Sequence, residues 1–460
     1  MTVVIGLSRG AVWCATAVGV MVGVGYAISP STVVCGGILA ALFFWAQRGI
    51  SGTERRWLLG VLSVSLVLRL VVLLGFFAIG GSRDALPVLI PDEWLIKWRS
   101  MLILNMSLGR TLAPTDYYNV YEVYGRTSVM NLFATWQFWF GPAPYGVHLV
   151  NMCLWFAASI MLFRAARRAF GVAAAMAGLM ALLFVPTMFV WSISALKEPS
   201  FFFFTALSIV AGTQLIRGPS LVTRLFAVAG LGVALFLIEP VRSIALYVAG
   251  GGVAVGLAGW LVTRRAWLWL AAVVILLGAG FQFRNNATVG ALAIKGYRLA
   301  ATNHLGNVRT IGTAYRLLDQ RFYMDFYQDQ IYTMQPEEAA RFAFRAVGSF
   351  VTQPIPWEAK SRAMVAFIAP QMIWYLLAAL GVVGAIAGWR REPAFTWMLT
   401  GNVLVGATVV ALSNGNIGTL VRFRDSVVTI IVWLSGLGAC AVLQWAARRF
   451  SGEHLDASAR

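Results

Sequence analysis

Apolar runs of about 17–25 residues, each ended by a short polar connection, make up most of the chain between residues 10 and 446. Runs of this length cross a hydrocarbon core as helices. The pattern predicts about twelve spans, near 10–28, 32–46, 58–79, 145–163, 172–191, 200–216, 221–238, 241–262, 266–283, 365–388, 395–412 and 426–446. The second of these is short. Met1 to Arg9 leads into an apolar stretch, but another span follows almost at once, which is not the layout of a cleavable signal.

Two polar stretches are long, about 80–144 and 284–364, and both are rich in Trp, Tyr and Phe, as structured segments are. In the first, Asp92 to Leu108 predicts an amphipathic helix lying on the membrane surface. Its apolar set is Trp94, Leu95, Trp98 and Leu102, with Lys97 and Arg99 elsewhere on the wheel. Tyr117, Tyr118, Tyr121 and Tyr124 follow, then Trp136 and Trp139, which suit an interfacial belt better than sugar stacking. In the second, Pro336-Glu337-Glu338 opens a helix running to about Phe350, and Pro354-Ile355-Pro356-Trp357 breaks the chain before the next span.

Composition then narrows the class. At 59% hydrophobic and 12% charged residues, with a mean hydropathy of +0.76, the chain is too apolar for a soluble globular protein. Its net charge of +18 is unevenly placed. With the N-terminus in the cytoplasm, every second connection is short and basic: Arg48/Arg55/Arg56, Arg164/Arg167/Arg168, Arg217/Arg224, Arg264/Arg265, Arg390/Arg391 and Arg448/Arg449. The expected fold is all-α, a polytopic transmembrane helical bundle with both termini cytoplasmic and two structured non-cytoplasmic loops. It divides into an N-terminal hairpin with its basic loop (1–56), a core including the first loop (57–283), the second loop (284–364) and C-terminal helices with a short tail (365–460). Part of the positive charge is a signal for topology and anionic lipid. No basic soluble domain exists to bind nucleic acid.

Cysteine and histidine add little chemistry. Cys14, Cys35, Cys153 and Cys440 fall in or beside apolar spans without C-x-x-C spacing, which predicts buried, inert thiols. His148, His304 and His454 lack metal-ligand spacing. Asn286-Ala287-Thr288 matches a glycosylation sequon and is read as incidental.

The non-cytoplasmic connections carry charges that the cytoplasmic bias does not explain. Asp92-Glu93 follows Pro91 where the span 58–79 gives way to the first loop, and carboxylates so near a bilayer are costly without water, a partner or a function. Lys197-Glu198-Pro199 and Glu239-Pro240-Val241-Arg242 interrupt neighbouring spans; Asn414-Gly415-Asn416 precedes Arg422, Arg424 and Asp425. One by one these read as solvated turns with snorkelling side chains. Together they predict a site combining proton-accepting carboxylates with anion-holding cations. Asp92-Glu93 also suits helix N-capping, Lys197-Glu198 an ion pair between helices, and Asp84 and Asp116 share the first loop.

Scattered segments resemble bacterial membrane glycosyltransferases of the GT-C superfamily, especially family 39-like members and their polysaccharide-locus relatives. They are Leu66 to Phe77 with Arg69, ending before Pro91-Asp92-Glu93; His148-Leu149-Val150-Asn151, Arg164 to Arg168 and Pro186 to Pro199; and Pro354 to Trp357 with Gly415 to Arg424. The resemblance covers about 57–446 in pieces. It implies a polyprenyl-phosphate-linked sugar donor, used on the outward face of a bacterial inner membrane, and a glycan, lipid or protein acceptor. It also implies Asp92 as general base, Glu93 as its neighbour or substitute, and Lys197, Arg422 and Arg424 as lipid-phosphate contacts. Glu198, Glu239, Arg242 and Asn416 would support them. No cofactor is expected, and the first loop lacks the D-x-D of metal-dependent oligosaccharyl transfer. A polysaccharide polymerase or ligase would use the same chemistry. A lipid-linked-sugar flippase would need midplane charges, of which Arg69 is the main one, and internal repeats, of which none is obvious.

Overall fold

The computed structural model describes residues 9–79, 92–120, 128–143, 145–242, 244–265, 267–271, 274, 287–310, 312–324, 328–358 and 365–458. Asp84, Pro91, Tyr121, Tyr124 and Asn286 lie outside them, as does most of the expected span 266–283. Helices account for the architecture, and among the described residues there is no strand. They are α1 (Arg9–Ile28), α2 (Pro30–Gln47), α3 (Gly52–Ile79), α4 (Asp92–Ser107), α5 (Pro114–Val120), α6 (Ser128–Phe140), α7 (Gly146–Phe170), α8 (Val172–Phe184) and α9 (Pro186–Ile193). Then come α10 (Glu198–Arg217), α11 (Leu221–Ile238), α12 (Ala245–Thr263), α13 (Ala287–Val308), α14 (Pro336–Thr352), α15 (Ile368–Arg391), α16 (Pro393–Ser413) and α17 (Ile417–Ser458).

Among the described residues, α2, α3, α7, α10, α11, α12, α15, α16 and α17 carry stretches long and apolar enough to cross a membrane. A tenth candidate is α8 with α9, bent by 65°. The bend has a local cause. Pro186 has no N–H to continue the ladder, and Val185 before it is pushed into an extended conformation, ψ 126°. The expected first span falls on α1, whose apolar stretch is the shorter Ala15–Ile28.

The chain divides into two compact units. The first comprises 1–160, 190–203 and 240–243; the second comprises 161–189, 204–239 and 244–460.

In the first unit, Ser29 caps α2 by accepting from the Thr32 amide, with Pro30 at the first helical position. Trp136 of α6 donates to the Ser31 hydroxyl at 2.8 Å, tying the first loop to the start of α2. The helix expected over 92–108 forms, and its predicted apolar set divides: Leu102 is buried with Trp98 packed against it, Leu95 is half-buried and Trp94 is exposed. Trp94 stacks on Trp98, while Glu93, Ile96, Ser100 and Leu104 are buried. Packing of α4 on α6 decides this: Gln137 of α6 donates to the Ser100 hydroxyl, so the polar Ser100 stripe turns inward. Cys153 of α7 lies against α2, its Sγ 3.7 Å from the Cys35 carbonyl oxygen.

In the second unit, close backbone approach replaces side-chain interdigitation. A Cβ on Gly384 of α15 would overlap the Leu434 carbonyl oxygen of α17, and one on Gly438 would overlap that of Leu380. The same holds for Gly436 of α17 against Ala174 of α8, and for Gly401 of α16 against Gly252 of α12. Glycine at these crossings lets spans touch without a hydrophobic driving force from the lipid.

Contacts link connections that the charge pattern assigns to one side. Arg217 pairs with Glu392 across two basic connections, its Nε 2.8 Å from Oε1. Arg242 pairs with Glu198 at 3.1 Å. The turn at Gly415 accepts from the Tyr315 amide of the second loop, and Ile417 donates to Thr313.

Candidate functional site

Asp92 and Glu93 are adjacent at the start of α4, and a helix separates neighbouring side chains by about 100°. Asp92 is exposed and Glu93 is 2% exposed. Glu93 Oε1 sits 2.5 Å from Nε2 of His148, which is fully buried near the start of α7. The rings of His148 and Phe77 of α3 meet nearly perpendicular, and Lys97, one turn along α4, lies over the Phe77 ring at 5.9 Å. Glu93 Oε2 and His148 Nδ1 are buried without a hydrogen-bond partner among the described residues.

One turn deeper on α7, Asn151 donates to the carbonyls of Ser194 and Leu196 at 2.6 and 2.9 Å. Those residues form the non-helical turn between α9 and α10, where Ser194, Ala195 and Leu196 are fully buried. Irregular backbone at membrane depth needs protein partners of this kind. Arg69 of α3 is also fully buried; its Nε donates to Ser192 at 2.7 Å and its Nη1 to the Ser65 carbonyl and hydroxyl. The first unit thus strings Arg69, the Ser192–Leu196 turn, Asn151, His148 and Glu93 together. Lys197 lies half-buried in that turn, and Glu198 opens α10 in its ion pair with Arg242.

The remaining predicted residues lie in the second unit. Arg424 is buried, with Nη1 donating to the Gln353 and Phe350 carbonyls and Nη2 to Gln371 Oε1 at 2.7 Å. Gln371 in turn donates to the Val351 and Thr352 carbonyls, Trp374 to Val351 and Tyr375 to Thr352. The last carbonyls of α14, orphaned by the end of the helix, are therefore held by side chains of α15 and α17. That gives Arg424 a structural task. Asn416 accepts from the Gly418 amide as a cap for α17 and donates to Thr310. Arg422 is half-buried on α17, and Glu239 is half-buried after α11.

A third cluster surrounds His304 of α13. Tyr323 accepts from the amides of Leu317 and Leu318, which leaves its O–H to donate to His304 Nε2 at 2.8 Å. Nδ1–H donates to the Asn414 carbonyl at 2.7 Å. Burial holds this imidazole down to about 4, against the opposing pull of the Asn414 carbonyl. Its neutral tautomer is fixed and its bonding complete, as in a packing element. Nearby, Asp319 is held below the usual carboxylate range by Arg341, with Arg345 assisting, and Glu338 likewise by Arg321.

His148 and Asn151 stand three residues apart on one helix face, a signal present in the sequence. Their partners come from distant segments, 55 residues away for Glu93 and 43 for Ser194. Among the described residues, no group of three or more His, Cys, Asp and Glu gathers. Comparison with protein-family models, with curated proteins and with solved structures finds no match.

Proposed function

We propose that this chain is a multi-pass membrane glycosyltransferase of the GT-C kind. It takes a sugar from a polyprenyl-phosphate donor on the non-cytoplasmic face of a bacterial inner membrane, and Glu93, rather than Asp92, is its base. The observation that carries this reading is the buried Glu93–His148 pair with a second carboxylate oxygen left to accept a proton. A desolvated carboxylate oriented by an imidazole suits removal of a proton from an acceptor hydroxyl. That oxygen bonds to the anomeric carbon as the bond from carbon to phosphate oxygen breaks, and the phosphate leaves as an anion. Lys197, beside the buried turn, is the first unit's candidate cation for it. A polymerase or ligase would differ only in the acceptor.

The test is transfer from radiolabelled polyprenyl-phosphate hexoses and pentoses by the reconstituted chain. Glu93→Gln lowers kcat by about 10²–10⁴, and Asp92→Asn stays within about threefold, as expected of an exposed side chain. Full turnover by Glu93→Gln rejects the assignment.

A second reading rests on different residues. Fully buried Arg69 within a span, and the 65° break between α8 and α9, are features of membrane transport sites. Passage of a lipid-linked sugar across a vesicle bilayer without transfer would favour a flippase.

A further inference from the structure

The face of α7 that continues inward from His148 carries polar atoms that no described residue satisfies. His148, Asn151 and Trp155 stand at i, i+3 and i+7, within about 60° of one another around the helix and along ~10 Å of its axis. His148 and Asn151 are fully buried and Trp155 is 1% exposed. Nonetheless His148 Nδ1, Asn151 Oδ1 and Trp155 Nε1 all lack a hydrogen-bond partner among the described residues. The surface opposite repeats the pattern. Asn151 reaches the Ser194–Leu196 turn, the Trp155 ring packs on Phe202 of α10, and Ser200 between them has a buried, unpartnered hydroxyl. Glu93 Oε2 ends the series.

A buried polar atom left unbonded loses its hydration without return, so a run of them along one face calls for a hydrogen-bonding ligand. The set mixes a donor-only indole, an acceptor-only amide oxygen, a hydroxyl and an imidazole nitrogen. An anion or a cation would satisfy half of it and oppose the rest. Water satisfies all of it.

We propose that α7, the Ser194–Leu196 turn and the first turn of α10 hold a file of ordered waters that carries protons to and from Glu93. His148 is the relay, its Nε2 on Glu93 and its Nδ1 on the file. A proton arriving from the file binds Nδ1 while the Nε2 proton passes to the carboxylate; only O–H and N–H bonds are made and broken. The charged and titratable groups beside this route are Lys97 and Tyr145, both against Phe77, Asp92 before Glu93, Arg69 on Ser192, Lys197 after the turn, and Glu198 at the start of α10 in its ion pair with Arg242. The file does not depend on which chemistry Glu93 serves.

X-ray radiolysis of the full chain in detergent tests it, because bound water next to a side chain generates the labelling radical there. Trp433 is the internal control, fully buried with its Nε1 donating to the Thr429 carbonyl. Trp155 and His148 label roughly fivefold faster than Trp433 if water lies beside them; equal rates overturn the file. The relay is read by infrared after rapid acidification, on the carboxylate band lost in Glu93→Gln. Trp155→Phe keeps the ring on Phe202 and removes one N–H, and it slows protonation of Glu93 by about fivefold or more. An unchanged rate overturns the relay. Labelling at Trp155 in a chain that transfers no sugar keeps the file and removes the transferase reading.

Discussion

Arg424 shows how a residue's surroundings decide between two plausible tasks. An arginine after a Gly/Asn-rich turn suits phosphate, but this one spends Nη1 and Nη2 on Phe350, Gln353 and Gln371. Arg424→Leu removes the donor from buried acceptors and costs about 3 kcal/mol, read as a lowered Tm in detergent; an unchanged Tm would return Arg424 to the ligand contacts. Nothing in the local sequence separates these roles, because the acceptors lie 53 to 74 residues away. Asp92 and Glu93 pose the same difficulty in sharper form. Their chemistry and place at the start of a helix were legible, but which of them turns inward depends on how α4 rotates to meet α6 and α7. A one-residue step swaps an exposed carboxylate for a buried one. Asn416 was legible in part, as a polar residue at a turn, and its capping of α17 uses that same trait.

At the scale of elements, nine of the twelve expected spans fall on helices long and apolar enough to cross a membrane among the described residues, because bilayer thickness imposes one length on such segments. Hydropathy did not locate the break inside the expected span 172–191, although Pro186 was there to mark it; an apolar window averages over a proline. For α4 it was right in part: Leu102 of the predicted apolar set is buried with Trp98 against it, whereas Trp94 is exposed. Glycines divide into two kinds that composition cannot tell apart. Gly384 faces the Leu434 carbonyl, whereas Gly348 is exposed in α14, where an added Cβ would meet nothing within 4 Å. Gly384→Ala therefore forces α15 from α17 and costs about 2–3 kcal/mol, while Gly348→Ala gains about 0.5–1 kcal/mol by stiffening the helix. Thermal unfolding of both variants in one detergent checks the contrast; equal shifts would mean that α15 and α17 cross with room to spare.

For the whole molecule, one route by which pH acts on stability is His304. Below pH 6.5 the unfolded chain takes up a proton on this imidazole that the folded chain refuses until about 4. The unfolded state then binds more protons, so stability falls as pH drops through that window and levels off beneath it. The loss totals about 3 kcal/mol at ~1.4 kcal/mol per unit. Comparing Tm at pH 7, 5.5 and 4 for the native chain and His304→Gln isolates it: the native chain loses more, and parallel curves would refute the assignment. Proton uptake at His304 thus weakens the fold. The grip on the end of α14 has a consequence in time. Its carbonyls are made at the ribosome before the side chains that hold them, Gln371, Trp374, Tyr375 and finally Arg424. Synthesis runs from the N-terminus at about 5–20 residues per second, so the second loop waits several seconds for its clasp. Over that interval the last carbonyls of α14 lack the side chains that hold them in the folded protein, and the clasp is complete only once Arg424 of α17 has been made.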